Sequence, residues 1–412
     1  MRIGAAPLSL LCLVAAALLP TGSAAAGSNG AAVDMLESAR ADALAGLTPE
    51  RQLQMAVAAI HAGHDGEALK ELSDLLQREP NFRLAHLLYG QLLAMRSGVA
   101  DAVPPLSDAD NARLRELDDE YRVRVDAAGF TPPPDHLPRE IVALEGSSRY
   151  ALLADLSRSR LYVISNAGGS LQVVDDFYST LARNGYGKHS SGDLLTPVGV
   201  YRATTFTPGS ALPAFYGSGA FPLNYPNLWD RLKGRTGYGI WLHGVPSDTY
   251  SRPPRASEGC VVLANEDLLS LKRFISVGET PVIFSDHVDW VAADTQQARR
   301  AEMEARIESW RAAWAQHDLA TYADFYADDY RGDDGSAKPH FSDAKLSAAA
   351  DAQHEVRLSE INLLAYPGQD DLMLAQFTQE FSVDQISTVS HRDQYWQHQA
   401  DGRWKILREE IR

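Results

Sequence analysis

Apolar residues recur along the chain at two spacings, and the change from one to the other divides it. Met55, Ala59 and Ala62, then Ala68, Leu69, Leu72, Leu75 and Leu76, fall three or four residues apart, the period of helices with one buried face. Gly63-His64-Asp65-Gly66 reads as the turn between two such helices, and Pro80-Asn81 closes the pair. Leu84 to Met95 opens another helix, and Leu114 to Val125 continues as a charged one. Thr131-Pro132-Pro133-Pro134-Asp135 then stops regular structure, because proline fixes φ and lacks an amide donor. From Arg139 the runs shorten. Tyr150–Asp155, Arg160–Ser165 and Leu171–Ser179 read as strands separated by turns such as Ala167-Gly168-Gly169-Ser170. Val200–Thr205, Gly239–His243, Gly259–Leu263 and Thr280–Ser285 continue that rhythm. One helix interrupts it, Leu268–Phe274, with Asn265 the expected N-cap and Glu266 and Asp267 in its first turn.

After Asp294 the helical period returns, with Met303, Ile307, Trp310 and Trp314 on one face, followed by Leu319–Tyr326. Val356–Leu364, Leu372–Val383, Ser387–Gln399 and Arg403–Glu409 then read as strands. The predicted organisation is multidomain: a helical region over residues 27–130, a Pro-rich linker over 131–138, a mostly-β domain over 139–290 and an α+β domain over 295–412. Helices followed by a meander of long strands make a cone-shaped pocket in that last unit. Residues 1–26 read as a secretory signal, with Arg2, an apolar run from Leu8 to Leu19 and Ala24-Ala25-Ala26 as the cleavage site. The run is shorter than the ~20 residues a bilayer requires. The expectation is an exported, periplasmic protein, cleaved near Ala26 and without a transmembrane anchor afterwards.

Composition narrows the choice of partner. The formal net charge of −16 argues against nucleic acid, whose binding needs a basic surface that displaces counterions. The acidity lies in the two flanking units, and the central one is close to neutral. Two cysteines, Cys12 and Cys260, cannot build a disulfide framework or a four-cysteine zinc site. Signal cleavage leaves Cys260 alone, as either a buried small hydrophobe or a working thiol. His61 and His64 stand three apart in a turn, and no cofactor or metal is expected. The first helical pair resembles a tetratricopeptide repeat, with Ala59, Gly63, Ala68 and Pro80 suitably placed. Independent arrays of such repeats need about three copies. The pair's apolar face therefore serves a protein partner, self-association, or packing on the rest of the chain.

The chemistry concentrates in Gly237-Tyr238-Gly239-Ile240-Trp241-Leu242-His243-Gly244 and Ser257-Glu258-Gly259-Cys260-Val261-Val262-Leu263. A thiol attacks carbonyls as its thiolate, and a neighbouring imidazole supplies the base. Two strands lying side by side would bring His243 and Cys260 together, and Gly244 and Gly259 leave room for a substrate backbone. The spacing His-Gly…Ser-x-Gly-Cys resembles the YkuD-type L,D-transpeptidase signature. Upstream, Gly187-Lys188 and Gly192-Asp193-x-x-Thr196-Pro197-x-Gly199-x-Tyr201 are similar to that family's strand-and-turn motif. The resemblance covers residues 145–285.

That resemblance implies Cys260 as nucleophile, His243 as general base and Gly244 as the residue whose carbonyl orients the imidazole. It also implies an oxyanion hole from the amides around Gly259 and Cys260. Ser257 supports either the loop or the substrate. The sequence departs from the family at two positions: Glu258 stands where many members have His, and Val262 where many have a substrate-placing Arg. Arg231, Lys233, Arg235, Arg252 and Arg255 surround the motif, and one or more of them would hold a stem carboxylate in place of the missing cation. The C-terminal unit, with Trp310/Trp314 and Tyr395-Trp396…Gly402-Arg403-Trp404-Lys405-Ile406, resembles the nuclear transport factor 2-like (SnoaL-like) fold. Such a pairing of domains resembles cell-shape-determining L,D-carboxypeptidases. The implied function is cleavage of peptidoglycan tetrapeptide stems through a cysteine thioester. Transfer to an amine gives a transpeptidase; transfer to water gives an L,D-carboxypeptidase or cleavage of a protein–peptidoglycan link. A reading of another class is a non-catalytic scaffold that holds peptidoglycan.

Overall fold

The computed structural model describes residues 47–98, 106–145, 149–332, 354–383 and 386–412. The expected signal segment, its cleavage site and Cys12 lie outside the described residues. Residues 52–412 form one compact unit. The first described elements of the chain are four helices: α1 (Pro49–His61), α2 (Asp65–Arg78), α3 (Arg83–Ser97) and α4 (Asp108–Ala128). Gly63, at φ +74°, makes the turn between α1 and α2, a conformation that glycine adopts without steric cost. The Ser107 hydroxyl caps α4 by accepting from the Asp110 amide at 3.2 Å. Leu53, Ala68, Leu72, Phe82 and Leu88 form one apolar cluster that also contains Tyr250 and Ala264. The repeat-like face is thus packed on this chain's own β domain.

The central region is built from strands. β1 (His136–Pro138) and β2 (Ile141–Ala143) precede β3 (Tyr150–Asp155), β4 (Arg160–Ala167), β5 (Ser170–Tyr178) and β6 (Leu181–Ala182). β7 (Gly199–Arg202), β8 (Thr207–Pro208), β9 (Gly219–Pro222), helix α5 (Leu228–Leu232) and β10 (Trp241–His243) come next. β11 (Arg255–Ser257), β12 (Val261–Val262), α6 (Asn265–Leu271), β13 (Pro281–Ser285) and β14 (Trp290–Ala292) complete the region. A five-stranded sheet runs β5-β4-β3-β13-β7, and a smaller one runs β12-β10-β9-β8. Strand side chains alternate between faces. Leu152, Val163 and Phe284 pack with Phe221, Leu242 and Val261 of the smaller sheet, while Ala151, Leu153 and Ile283 turn the other way.

That other face meets the C-terminal domain. Helix α7 (Ala293–Ala315), α8 (Leu319–Asp324), β15 (Tyr326–Gly332), β16 (His354–Ala365), β17 (Leu372–Val383), β18 (Ile386–His398) and β19 (Trp404–Ile411) follow in order. The six-stranded sheet reads β15-β19-β18-β17-β16-β2. Met303, Ile307 and Trp310 of α7 cover one side of it, against Leu363, Met373 and Trp396. Leu364, Leu374 and Tyr395 point to the opposite side and share a core with Leu153, Tyr162 and Ile283. Period-two alternation along β16 and β18 therefore joins the two domains through one sheet.

This is the predicted multidomain layout, with two differences at the junction. β1, within the expected linker, pairs with β14, and β2, within the expected β domain, pairs with β16 of the C-terminal sheet. Three-residue strands are too short to show a period. Among the described residues, no helix is long and apolar enough to cross a membrane.

Leu364 is fully buried in the shared core, so Leu364→Ala is expected to cost about 3 kcal/mol. In urea denaturation the two domains should shift together; a C-terminal transition that moves while the β domain holds its midpoint would contradict a shared core.

Candidate active site

β10 is held on one side by antiparallel β9 and on the other by parallel β12, with Leu242 opposite Val261 and His243 opposite Val262. Cys260 immediately precedes β12. With period two, this register puts Cys260 and His243 on one face of the strand pair. Two neighbours are common to both. The Tyr216 ring lies 5.0 Å from the His243 ring, and Cys260 helps raise its phenol pKa, after burial. Arg252 acts electrostatically on both His243 and Cys260.

His243 Nδ1 lies 2.7 Å from the Gly244 carbonyl oxygen. A carbonyl only accepts, so Nδ1 carries the proton and Nε2 is the basic nitrogen. His243 is 1% exposed. Burial lowers its pKa to about 4, with the Gly244 hydrogen bond opposing and the Arg252 charge adding to the fall. Cys260 is partly exposed, yet its sulfur is packed against protein, and Sγ donates to the Gly239 carbonyl at 3.3 Å. Burial pushes the thiol up to about 11; a backbone hydrogen bond from Trp241 and the charges of Arg252 and Lys188 oppose this, and Glu258 reinforces it. The resting pair is therefore a neutral thiol and a neutral imidazole. Such a pair performs general-base catalysis, moving the sulfur proton during attack.

The supporting residues fall into place around this pair. Ser257 is buried; its Oγ donates to the Cys260 carbonyl at 2.6 Å and accepts from the Gly259 amide at 3.2 Å. It holds the turn that carries Cys260, and the Gly259 amide expected to serve as an oxyanion donor already has this hydroxyl as its partner. Gly259 has φ +146°, and a Cβ there would lie 2.8 Å from Ile240 Cδ1. Asn265 is not the N-cap; Ala264 is. Instead, Asn265 Oδ1 accepts from the amides of Ser218 (2.7 Å) and Val245 (3.2 Å), and Nδ2 donates to the Val245 carbonyl at 2.8 Å. A Cβ on Gly244 would stand 2.2 Å from this Oδ1, so the residue that orients the imidazole must be glycine. The Asn closing the cysteine motif was visible in the sequence, but its partners, distant in the chain, were not.

The upstream motif forms a second brace. Asp193 accepts from Lys188 Nζ at 2.6 Å and from the amides of His189 and Ser190, both at 2.8 Å. Burial would raise its pKa, but Lys188 and the amides hold it at about 2.

Of the five cations expected around the motif, Arg252 alone sits at the site, its guanidinium 4.2 Å from the centre of the Phe215 ring. Arg235 is committed to buried Asp230 at 2.9 Å and to the Val198 carbonyl, so the expected substrate role gives way to a structural one. Arg231 donates to the Pro226 carbonyl and approaches Glu410 at 3.6 Å, and Lys233 covers Trp229. Arg255 is exposed on β11, opposite Leu181. Sequence reasoning missed Phe215 and Tyr216, which lie on a single 3-10 turn, Ala214–Tyr216, far from the motif in the chain. Among the described residues, no group of His, Cys, Asp or Glu could hold a metal ion.

Residues 149–284 match the model of the L,D-transpeptidase (YkuD) catalytic domain. That stretch of the chain is similar to L,D-transpeptidase catalytic domains. Residues 302–410 match the Cds6 C-terminal NTF2-like domain. Among solved structures, Bdellovibrio bacteriovorus Bd1075 is 29% identical, with a TM-score of 0.58 over 67% of this chain and 98% of that one. The helical cell shape determining protein Pgp2 of Campylobacter jejuni shares the fold, at 22% identity and a TM-score of 0.53, over 72% of this chain and 100% of its own. A comparison with curated proteins finds no match.

With the imidazole pKa near 4, His243 remains a neutral base down to that pH and is lost as pH falls through it. The acid limb of kcat/KM should therefore lie near pH 4, and alkylation of Cys260 by iodoacetamide should be slow at pH 7 and rise toward pH 11. A limb at pH 6–7 with a thiol already reactive at neutral pH would indicate an ion pair instead.

Proposed function

We propose that this protein is an exported enzyme of peptidoglycan remodelling that acts on tetrapeptide stems. The observation that carries this reading is the Cys260 thiol sharing a strand face with a buried imidazole whose Nδ1 is engaged by the Gly244 carbonyl. Cys260 Sγ attacks the carbonyl carbon of the diamino-acid residue before the terminal D-Ala. The thiol proton passes to His243 Nε2 and then to the departing D-Ala nitrogen, leaving a thioester. An amine of another stem then takes the acyl group as the C–S bond breaks, and His243 accepts the amine proton and returns it to the Cys260 sulfur.

Water in place of that amine would make the protein an L,D-carboxypeptidase, or a hydrolase of protein–peptidoglycan links. Val262 supports this second outcome: the family's substrate-placing Arg is replaced by an apolar side chain, 1% exposed in the core. Arg252 takes over as the cation for a stem carboxylate, since it is the one expected guanidinium whose charge reaches the thiol. The domain layout in common with Pgp2 supports a role in cell shape, and the N-terminal signal pattern supports export. A non-catalytic peptidoglycan scaffold would not require the engaged imidazole beside the thiol.

The test is incubation of the purified protein with a disaccharide tetrapeptide and mass analysis of the products. A cross-linked dimer with free alanine indicates transpeptidation, and loss of one alanine without a dimer indicates hydrolysis. Cys260→Ala should abolish either product; unchanged substrate with the wild-type protein would overturn the enzyme reading.

A further inference from the structure

The segment between β10 and β11 carries Arg252 and has little structure of its own, so its position depends on what it is tied to. Two sets of ties converge on it. From the helical region, the Asn81 side-chain amide donates to the Ser247 carbonyl at 3.1 Å, and the Tyr250 amide donates to the Asn81 carbonyl at 3.4 Å. The Tyr250 ring packs against Phe82, centroid to centroid 4.1 Å. Ser251 Oγ donates to Glu120 Oε1 at 2.7 Å. Glu120 is itself 2% exposed and is locked by Arg124, whose Nε and Nη2 donate to the same oxygen at 3.1 and 2.8 Å. From the β domain, Tyr178 and Thr180 hydroxyls donate to the Arg252 carbonyl at 2.8 and 2.9 Å.

A buried carboxylate paired with a buried guanidinium is a rigid acceptor, because separating the two would strand an uncompensated charge. Ser251 is therefore fixed to α4 and the Arg252 backbone to the main sheet, while the Arg252 side chain extends to Phe215. We propose that the helical region is a brace for the active site: Glu120, through Ser251, positions the segment that presents Arg252 to the substrate. Glu120 and Ser251 are positioning residues, and the effect of losing them is an Arg252 that samples more orientations. This role rests on the reading of Arg252 as the cation for a stem carboxylate.

The test uses the full chain with Ser251→Ala, which removes one hydroxyl and leaves the Glu120–Arg124 pair intact. Amide hydrogen exchange across residues 247–252 should quicken in this variant, and Ser251→Thr should restore protection. KM for the disaccharide tetrapeptide should rise about tenfold, the scale of one hydrogen bond to a charged group, with kcat within about twofold. In an Arg252→Ala background, Ser251→Ala should raise KM no further. Unchanged exchange, a fall in kcat at constant KM, or an additive loss in the Arg252→Ala background would overturn the brace. If exchange quickens as expected but Arg252→Ala itself leaves KM unchanged, the brace stands and the carboxylate reading of Arg252 falls.

Discussion

The parallel pairing of β10 with β12 is the constraint on which the rest of the site depends. Antiparallel neighbours can be joined by a tight turn, but parallel ones need a long crossover. Here the crossover spans the residues between His243 and Val261, and it must leave one strand and return to run beside it. The same pairing brings His243 and Cys260 to one face and obliges the chain to carry an extended segment past them. That segment carries Arg252, and its anchoring falls to neighbours: α4 and the turn before α3 on one side, Tyr178 and Thr180 on the other.

Within that frame, burial sets the chemistry. Low polarity around the sulfur and the ring favours the neutral form of each, so in the proposed reaction the thiolate need exist only while it attacks. The Gly244 carbonyl fixes the tautomer, and Asn265 holds the Val245 backbone that follows it, in a space where only glycine fits. The arrangement follows the logic of a catalytic triad with a peptide carbonyl in place of a carboxylate. It orients the imidazole without placing a negative charge beside it.

Much of this was legible in the sequence. The helical face of Met303, Ile307 and Trp310 is buried as its spacing predicts, and the long strands of the C-terminal sheet follow their alternation. The placement of His243 and Cys260 at paired strands is legible from motif spacing, because both short strands and the glycines beside them are local features. Properties set by distant parts of the chain escape such reading. β1 and β2 are strands only because β14 and β16 pair with them. Arg235 looks like a free cation until Asp230 is seen beneath it, and Asn265 looks like a cap until Ser218 and Val245 are brought to it. The tetratricopeptide-like pair showed an apolar face with several possible uses, and packing against Tyr250 and Ala264 occupies it.

In the proposed reaction Cys260 carries the acyl group in a thioester whose formation depends on His243. Its most direct measurement is the mass of the intact protein, quenched in acid during turnover of a disaccharide tetrapeptide, followed by peptide mapping. The expected result is an adduct of the substrate mass less one alanine, located on the peptide containing Cys260 and absent in Cys260→Ala and His243→Ala. Consumption of substrate with no adduct on that peptide, or with an adduct on a different residue, would contradict it.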